Sequence, residues 1–324
     1  MFPIQRMQRY RYNQAIRDLN SETMLTKHDF IMPIFIHENI QGKIEVPSMP
    51  GIFQHSLANL PYEIERLNKI GVNSVILFGI PKHKDAKGSE AYNPNGVIGQ
   101  AIRLIKHEAP NMLVIADVCL CEYTADGHCG LMEQGHLNND ATLNILNQIA
   151  LSYAQSGVDI VAPSGMMDGM VRSMRTALDE NGHSMLPIMS YAMKYASAFY
   201  EPFRDAAGSA GEFTGDRKHH QISPTQNREA LRDALLDIEE GADYLMIKPI
   251  MTYLDMVVRL RQQCLLPIIG YHVSGEYSLL KLAFAKNILQ EDKILNEIFV
   301  SMKRAGVEKI ITYFADTMVK KINR

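Results

Sequence analysis

The segment DVCLCEYTADGHCG, residues 117–130, places three of the chain's four cysteines within eleven residues, beside an aspartate and a histidine. If the segment begins as a strand, alternation puts Asp117, Cys119 and Cys121 on one face, and a short loop can return Cys129 to them. Soft thiolates suit zinc, and three protein ligands leave a fourth position for water or substrate, as in catalytic zinc sites. The segment therefore predicts a catalytic zinc site.

Three other interpretations of this segment stay open. The cysteines could be buried structural thiols, or a redox pair, although C-x-C matches that motif less well than C-x-x-C. His128 could close the site as a fourth, structural ligand, or it could hydrogen-bond near the site. A disulfide framework is not expected in a reducing compartment, and the fourth cysteine, Cys264, stands alone.

Two lysines stand at the ends of apolar runs. Lys248 ends the run in MIKPI, and Lys194 lies just beyond another run, in MSYAMKYASAF. A lysine in such a place often extends its ammonium to water from the surface. Burial and mutual repulsion, however, both lower an ammonium pKa, and the resulting neutral amine can form a Schiff base with a ketone. Two such lysines predict two carbonyl substrates, with zinc nearby as a Lewis acid.

Several other polar residues are suited to binding an acidic substrate. Residues 199–221 form a long, polar, glycine-rich segment typical of an active-site lid. Within it, Arg204 and Arg217 could each grip a carboxylate through two hydrogen bonds, or could be solvated loop residues, as is expected for His219 and His220.

Hydroxyl and carboxyl groups also fall at predicted strand ends. Ser274, in YHVSGE, and Tyr313, in ITYFA, offer hydroxyls to a second carboxylate. Asp117 and Ser164 could hold a substrate amine or relay a proton.

The elements that position these residues follow a repeating pattern of short apolar runs and longer segments with helical spacing. The candidate strands are residues 30–36, 74–80, 113–120, 160–165, 186–191, 244–249, 266–274 and 309–315. Apolar strands that alternate with helices indicate a parallel sheet covered on its outer face. Eight such units predict an α/β fold, a (β/α)₈ TIM barrel, with a doubly wound sheet as the alternative. In a barrel the chemistry gathers where the strands end.

One intervening helix is predicted in detail. Ser223 suits its N-cap, Pro224 its first position and Gly241 its stop. The apolar residues of one helical face lie between them: Leu231, Ala234, Leu235 and Ile238.

The whole chain, with 324 residues, 46% apolar composition and a formal net charge of −3, can bury a large core. It has no basic stripe for nucleic acid, no signal-peptide core, and no run of about 18 apolar residues to span a membrane. These features predict a cytoplasmic protein with neither nucleic acid nor membrane as partner. Residues 1–28 lack core periodicity and are predicted to form an arm on a second subunit, with the barrel at residues 29–324.

The segments discussed above, with VPSMPGI, GSEAYNPNG, GDRKHHQ and IKPIMTYLD, closely resemble the porphobilinogen synthase family, also called the delta-aminolevulinic acid dehydratases, nearly end to end. The resemblance implies a (β/α)₈ barrel whose N-terminal arm wraps a neighbouring subunit, commonly in homo-octamers. It implies a reaction that joins two 5-aminolevulinate molecules into porphobilinogen, the pyrrole precursor of haem. The three cysteines imply the zinc class of the family.

The resemblance also implies roles for individual residues. Lys248 would form the Schiff base with the substrate that becomes the propionate side, and Lys194 would bind the second molecule. Arg204, Arg217 and Gln221 resemble the clamp on the second carboxylate.

Ser274 and Tyr313 resemble the family's clamp on the first carboxylate. Asp117 and Ser164 resemble the polar groups that surround the substrate amine. Some members bind an activating, allosteric magnesium ion at a subunit interface through a glutamate. Asp233, one methylene shorter, stands at the matching position, facing away from the apolar stripe of its helix.

Two other functions remain as alternatives. A Schiff-base class I aldolase would use one lysine and keep a structural zinc site. A non-enzymatic zinc-binding or chaperone-like protein would bind metal and form no imine. Borohydride trapping of substrate on two lysines, on one or on none distinguishes the three.

Overall fold

The computed structural model describes residues 2–208 and 217–323. Its strands are β1 (Phe30–His37), β2 (Lys43–Glu45), β3 (Phe53–His55), β4 (Ser74–Ile80), β5 (Leu113–Val118), β6 (Met132–Glu133), β7 (His136–Leu137), β8 (Ile160–Pro163), β9 (Met189–Lys194), β10 (Tyr244–Lys248), β11 (Ile268–His272) and β12 (Lys309–Thr312). Its α-helices are α1 (Gln14–Leu19), α2 (Leu60–Ile70), α3 (Val97–Glu108), α4 (Asn139–Gln155), α5 (Met170–Glu180), α6 (Glu201–Ala206), α7 (Arg228–Glu240), α8 (Leu254–Arg261), α9 (Ser274–Ala285), α10 (Glu291–Ala305) and α11 (Ala315–Ile322).

Eight parallel strands form the barrel, in the order β8-β5-β4-β1-β12-β11-β10-β9. The first and last strands of this order meet through a parallel bridge between Val161 and Ile188, which nearly closes the barrel. All eight predicted strands are present, and the prediction of a (β/α)₈ barrel is confirmed. The carboxyl ends of the strands therefore meet at one rim, where side chains distant in sequence can converge.

The strands are buried on both faces, which explains why their sequences are apolar throughout. In β1, every residue before His37 is buried. The covering helices are amphipathic: in α3, Ile98, Ala101, Ile102 and Ile105 are buried with the spacing of one helical face. Each large side chain of this kind contributes about 1.5–3 kcal/mol when it leaves water, so a charge at Ile102 would detach the helix from the barrel.

Most strand boundaries differ from the prediction by one to three residues, and two of these differences move candidate site residues. β5 ends at Val118, so Cys119 and Cys121 lie in the following loop, not on the strand as predicted. The chain leaves the sheet here because the Leu120 carbonyl accepts hydrogen bonds from the backbone N–H groups of Tyr123 and Thr124, at 2.8 Å each, which form a tight turn.

The other difference is in β9, which runs on to Lys194, so this lysine ends a strand and does not follow one. Against β10, Ser190 pairs with Leu245 and Met193 pairs with Ile247. β9 therefore carries one extra residue, a bulge that resets the alternation of its side chains.

The helix predicted from Pro224 begins four residues later, at Arg228, and Ser223 is not its N-cap. Ile222 bridges to Tyr195, and the Ser223 carbonyl accepts from the Gln226 N–H at 2.9 Å, which makes a turn where the helix was expected. The predicted stop is confirmed, since Gly241 has φ of 104°, a left-handed conformation that glycine adopts without strain.

The first 28 residues lie mainly on the outside of the barrel. They contain a 3₁₀ helix at Met7–Arg11 and the short helix α1, neither of which buries a residue. Large apolar side chains in this segment are exposed: Phe2, Ile4, Met7, Tyr10, Tyr12, Leu19 and Met24. Among the described residues, no helix is both long and apolar enough to cross a membrane.

Candidate active site

Both predicted lysines lie at the rim where the barrel strands end. Lys194 ends β9, Lys248 ends the neighbouring β10, and the two are register partners across the sheet. Each is only 6% exposed. One narrow cavity at this rim is lined by both lysines and by Phe78, Asp117, Cys121, Glu122, Ser164, Tyr200, Phe203, Arg204, Arg217 and Gln221.

The ammonium of Lys248 is surrounded by aromatic rings. Its Nζ lies 4.3 Å from the ring centroid of Tyr271, 5.0 Å from that of Phe203 and 5.2 Å from that of Tyr200. Burial, and then the charge of Lys194, lower the pKa of Lys248 to about 8. The predicted lowering is thus confirmed for this lysine, which supplies a neutral amine near physiological pH.

Lys194 has a polar setting instead. Its Nζ donates a hydrogen bond to the Ser164 carbonyl at 2.6 Å. Burial acts to lower its pKa, but the thiolates, Cys129 first, together with the Asp117 carboxylate outweigh burial and raise it. The expectation that both lysine pKa values fall is therefore wrong for Lys194, because the sequence did not show how near the cysteines would come.

Asp117 and Ser164, the two polar groups expected near the substrate amine, lie together in the cavity. The Ser164 hydroxyl donates to Asp117 Oδ2 at 3.0 Å, and Asp117 Oδ1 is buried with no partner among the described residues. Burial, and then the charge of Cys119, raise the pKa of Asp117 to about 6. A carboxyl group with this pKa can exchange a proton near neutral pH.

The three clustered cysteines converge. The sulfur atoms of Cys119, Cys121 and Cys129 lie within 4.8 Å of one another, all buried, with Cys119 Sγ and Cys121 Sγ 3.3 Å apart. Hydrogen bonds from the other two thiols hold the pKa of Cys129 well below the usual thiol range. This donor set fits a soft metal ion. His128 does not belong to the converging group.

Sequence reasoning missed Glu122. Its side chain is 2% exposed, and its Oε2 accepts from Cys121 Sγ at 3.2 Å, while Oε1 is buried without a described partner. Burial, and then the charge of Cys119, raise its pKa to about 8. The segment 117–130 contained the signal, since a carboxylate directly beside a candidate metal ligand is unusual in an apolar setting.

The predicted anion-binding residues divide into two groups. Arg204, Arg217 and Gln221 line the cavity, and Arg217 Nη2 also donates to the Gly127 carbonyl in the cysteine loop at 2.7 Å. These three side chains come from the two described ends of the predicted lid. Its middle, residues 209–216, lies outside the described residues.

Ser274 and Tyr313 do not line the cavity. Ser274 Oγ accepts from the Phe203 N–H at 2.9 Å and donates to the Phe199 carbonyl at 3.2 Å, so it holds the base of the predicted lid. Tyr313 OH lies 3.4 Å from Tyr271 OH, behind the ring that covers Lys248. Both are buried, and both contact the cavity through its wall.

Asp233 lies away from the rim, on α7. It lines a larger outer cavity with Asp168, Glu229, Arg232 and Asp237. Burial, and then the charges of Glu229 and Asp168, raise the pKa of Asp233 to about 6. Gln221 lines both this outer cavity and the lysine cavity, so the two cavities adjoin.

The barrel and its rim define a class of protein: a (β/α)₈-barrel enzyme with buried lysines and a thiol cluster suited to a metal ion. The family model described as delta-aminolevulinic acid dehydratase matches residues 4–321. The chain belongs to the delta-aminolevulinic acid dehydratase family. Its activity is therefore that of a hydro-lyase of tetrapyrrole biosynthesis, and the expectation drawn from the sequence is confirmed.

Individual relatives match nearly the whole chain. A delta-aminolevulinic acid dehydratase from Bacillus subtilis (strain 168) is 49% identical over 315 residues, 97% of each chain. One from Archaeoglobus fulgidus is 48% identical over 321 residues, 99% of each chain. The crystal structure of the Toxoplasma gondii ME49 enzyme, in complex with the reaction product porphobilinogen, superposes with a TM-score of 0.96 at 38% identity, covering 99% of this chain and 92% of that one.

Proposed function

We propose that the chain condenses two 5-aminolevulinate molecules into porphobilinogen through imines on both rim lysines. The observation that carries this proposal is the pairing of Lys194 and Lys248 across neighbouring strands, in one cavity, with unlike surroundings. Two identical ketones must be held in different poses to give an asymmetric pyrrole. Two chemically distinct amines meet that requirement.

Lys248 captures the molecule that becomes the propionate side. Its neutral amine attacks the ketone carbon, and a water leaves as the carbon–nitrogen double bond forms. The aromatic rings around Lys248 favour this step, because they exclude water and tolerate the cationic imine.

Lys194 captures the second molecule, and a second water leaves in the same way. Loss of a proton then gives an enamine, whose carbon attacks the imine carbon on Lys248 to form the carbon–carbon bond. The free amine of one substrate closes the ring. Both lysines are released as amines, so the two waters of imine formation are the only net loss.

Zinc is the ion we propose for the thiol site, held by Cys119, Cys121 and Cys129. When bound, it supplies a Lewis acid that polarises a carbonyl or holds an amine of the second substrate. Three thiolates suit zinc better than magnesium, which prefers oxygen ligands.

The remaining polar residues hold the substrates. Asp117 and Ser164 contact the substrate amine and pass protons, since the Asp117 pKa of about 6 suits both directions of transfer. Arg204, Arg217 and Gln221 grip the carboxylate of the second molecule.

We propose that Ser274 and Tyr313, which lie directly behind the cavity wall, bind the carboxylate of the first molecule. Movement of the lid base would expose the Ser274 hydroxyl to that carboxylate.

Two features outside the cavity belong to the same proposal. Asp233 binds a regulatory magnesium ion in the acidic outer cavity, where the neighbouring carboxylates would help to neutralise the charge of the ion. Residues 1–28 form an arm that packs on another copy of the chain in a homo-octamer, which would cover the exposed apolar side chains of the arm.

Borohydride trapping in the presence of 5-aminolevulinate tests the central proposal, with peptide mass mapping and porphobilinogen assayed with and without a zinc chelator. Adducts on both lysines with chelator-sensitive product would support two imines and a catalytic metal. An adduct on Lys248 alone, with no pyrrole, would contradict the proposal and support the aldolase alternative.

A further inference from the structure

We propose that Tyr191 is a positioning residue for both lysines, because its ring forms a shared surface on which the two amines are held. This inference rests on the proposed function, since it explains how the two Schiff-base lysines are placed relative to each other.

The geometry of this ring carries the inference. Tyr191 is 0% exposed and lies inside the barrel. Its ring centroid is 5.6 Å from Lys194 Nζ and 5.1 Å from Lys248 Nζ, so one ring contacts both amines. These distances are within the range of cation–π attraction.

The bulge in β9 explains how the ring reaches both lysines. Residues 191 and 194 are three apart, and in a regular strand their side chains would point to opposite faces. The extra residue between Ser190 and Met193, opposite Leu245 and Ile247, resets the alternation, so both side chains point into the barrel, with the buried Tyr191 ring near both amines.

The outer face of β9 is fixed from behind. The Ser190 hydroxyl donates to Asp237 Oδ2 on α7 at 2.5 Å; Ser190 is buried and Asp237 is partly buried. Because Ser190 is held outward, its neighbour Tyr191 is held inward against the two amines.

An aromatic ring suits this position better than a charged group would. Its face attracts an ammonium and a protonated imine alike, because both are cations. A carboxylate in the same place would pair with one amine, raise its pKa and reduce the neutral fraction that reacts. The ring can therefore hold both nitrogens, as ammonium and as protonated imine, while raising their pKa values less than a carboxylate would.

The test compares Tyr191→Phe, which keeps the ring, with Tyr191→Leu, which removes it. We expect Tyr191→Leu to lower both kcat and the borohydride-trapped adducts on Lys194 and Lys248 by at least about tenfold, with KM changed by less than about threefold. Tyr191→Phe should restore trapping to within about threefold of the unmodified protein. The matched control is Tyr153→Leu, which removes a buried tyrosine ring from α4, outside the lysine cavity.

A role in packing alone predicts a different pattern. Tyr191→Leu would then trap substrate on both lysines as fast as Tyr153→Leu at equal thermal stability, and this result would overturn the inference. If Tyr191→Leu does not fold, Tyr191→pentafluorophenylalanine keeps the size of the ring while reversing the charge distribution of its face. Slower trapping in that variant supports the inference, and unchanged trapping overturns it.

The failure of the proposed function would be visible separately. In that case the unmodified protein would form no adduct on either lysine. Adducts on the unmodified protein together with unchanged trapping in the Tyr191 variants would remove the inference and leave the proposed function standing.

Discussion

The two halves of the cavity contain the same reactive group in opposite environments. Lys194 and Lys248 end adjacent strands, pair in register and are equally buried. Lys194 donates to a backbone carbonyl and faces thiolates and a carboxylate, which raise its pKa. Lys248 faces aromatic rings, and burial lowers its pKa to about 8.

This difference shows how one cavity can treat two identical molecules differently. At neutral pH Lys248 has a substantial neutral fraction, whereas Lys194 holds its proton as long as the negative charge of the cysteine cluster, Cys129 first, is not neutralised. A dication bound by the cysteines would cancel the charge that raises the Lys194 pKa. In the proposed mechanism, a metal ion bound by the cysteines would prepare the second amine as well as the second ketone, and we expect Lys248 to capture its substrate first.

Removing the Lys248 amine should have the largest effect. Because no second lysine among the described residues lines that half of the cavity, Lys248→Met should lower porphobilinogen formation by at least about 10³-fold. Trapping should still occur on Lys194 when metal is present. Product assays and mass mapping would check this, with the exposed Lys69→Met on α2 as the matched control.

Removing a thiol should impair the half of the cavity that contains Lys194 and the cysteine cluster. Cys119→Ala should lose bound zinc and reduce turnover by about 10²-fold or more, while trapping on Lys248 persists. Cys264→Ala is the matched control, because Cys264 is buried but lies far along the chain from the cluster. Metal analysis and turnover would be measured together, and full activity in metal-free Cys119→Ala would exclude a catalytic metal.

The pH dependence of trapping should separate the two amines. Below pH 8 the neutral fraction of Lys248 falls as its ammonium forms, so trapping there should drop about tenfold per pH unit and level off above that pH. In metal-free protein, trapping on Lys194 should begin only at higher pH, because its pKa is raised. Adding zinc should increase trapping on Lys194 and leave Lys248 nearly unchanged. If trapping on both lysines followed the same pH profile in metal-free protein, the proposed difference between their pKa values would be wrong.

The sequence was sufficient to predict the eight barrel strands and to place most of the candidate residues at the rim. Apolar runs located all eight strands, and the placement of Lys248 and Asp117 near strand ends followed from the barrel rule. Local signals also located the stop at Gly241, since glycine in the left-handed conformation is a local backbone requirement.

What the sequence did not reveal depends on contacts between distant segments. The pKa of Lys194 is raised because the loop after β5 folds back across the rim, and alternation along a strand does not describe that loop. The rings over Lys248 come from β9, from β11 and from the segment before and within α6, so no local pattern groups them. The bulge in β9 is likewise a property of its pairing with β10.

The smallest expected effect concerns Ser274, whose hydroxyl holds a residue that covers Lys248. It accepts from the Phe203 N–H, and the Phe203 ring covers Lys248 Nζ at 5.0 Å. If Ser274 acts only by fixing this ring, Ser274→Ala should change kcat and KM by no more than about threefold to tenfold, because it removes one neutral hydrogen bond.

A direct grip on the first carboxylate would give a different result. Losing that charge-assisted hydrogen bond should raise KM more than kcat falls, and a substrate methyl ester should become insensitive to the change. Ser301→Ala on α10, whose hydroxyl bonds only within its own helix in the described contacts, is the matched control. Comparing acid and ester in Ser274→Ala therefore decides whether the wall behind Lys248 supports the amine or also binds the substrate that the amine captures.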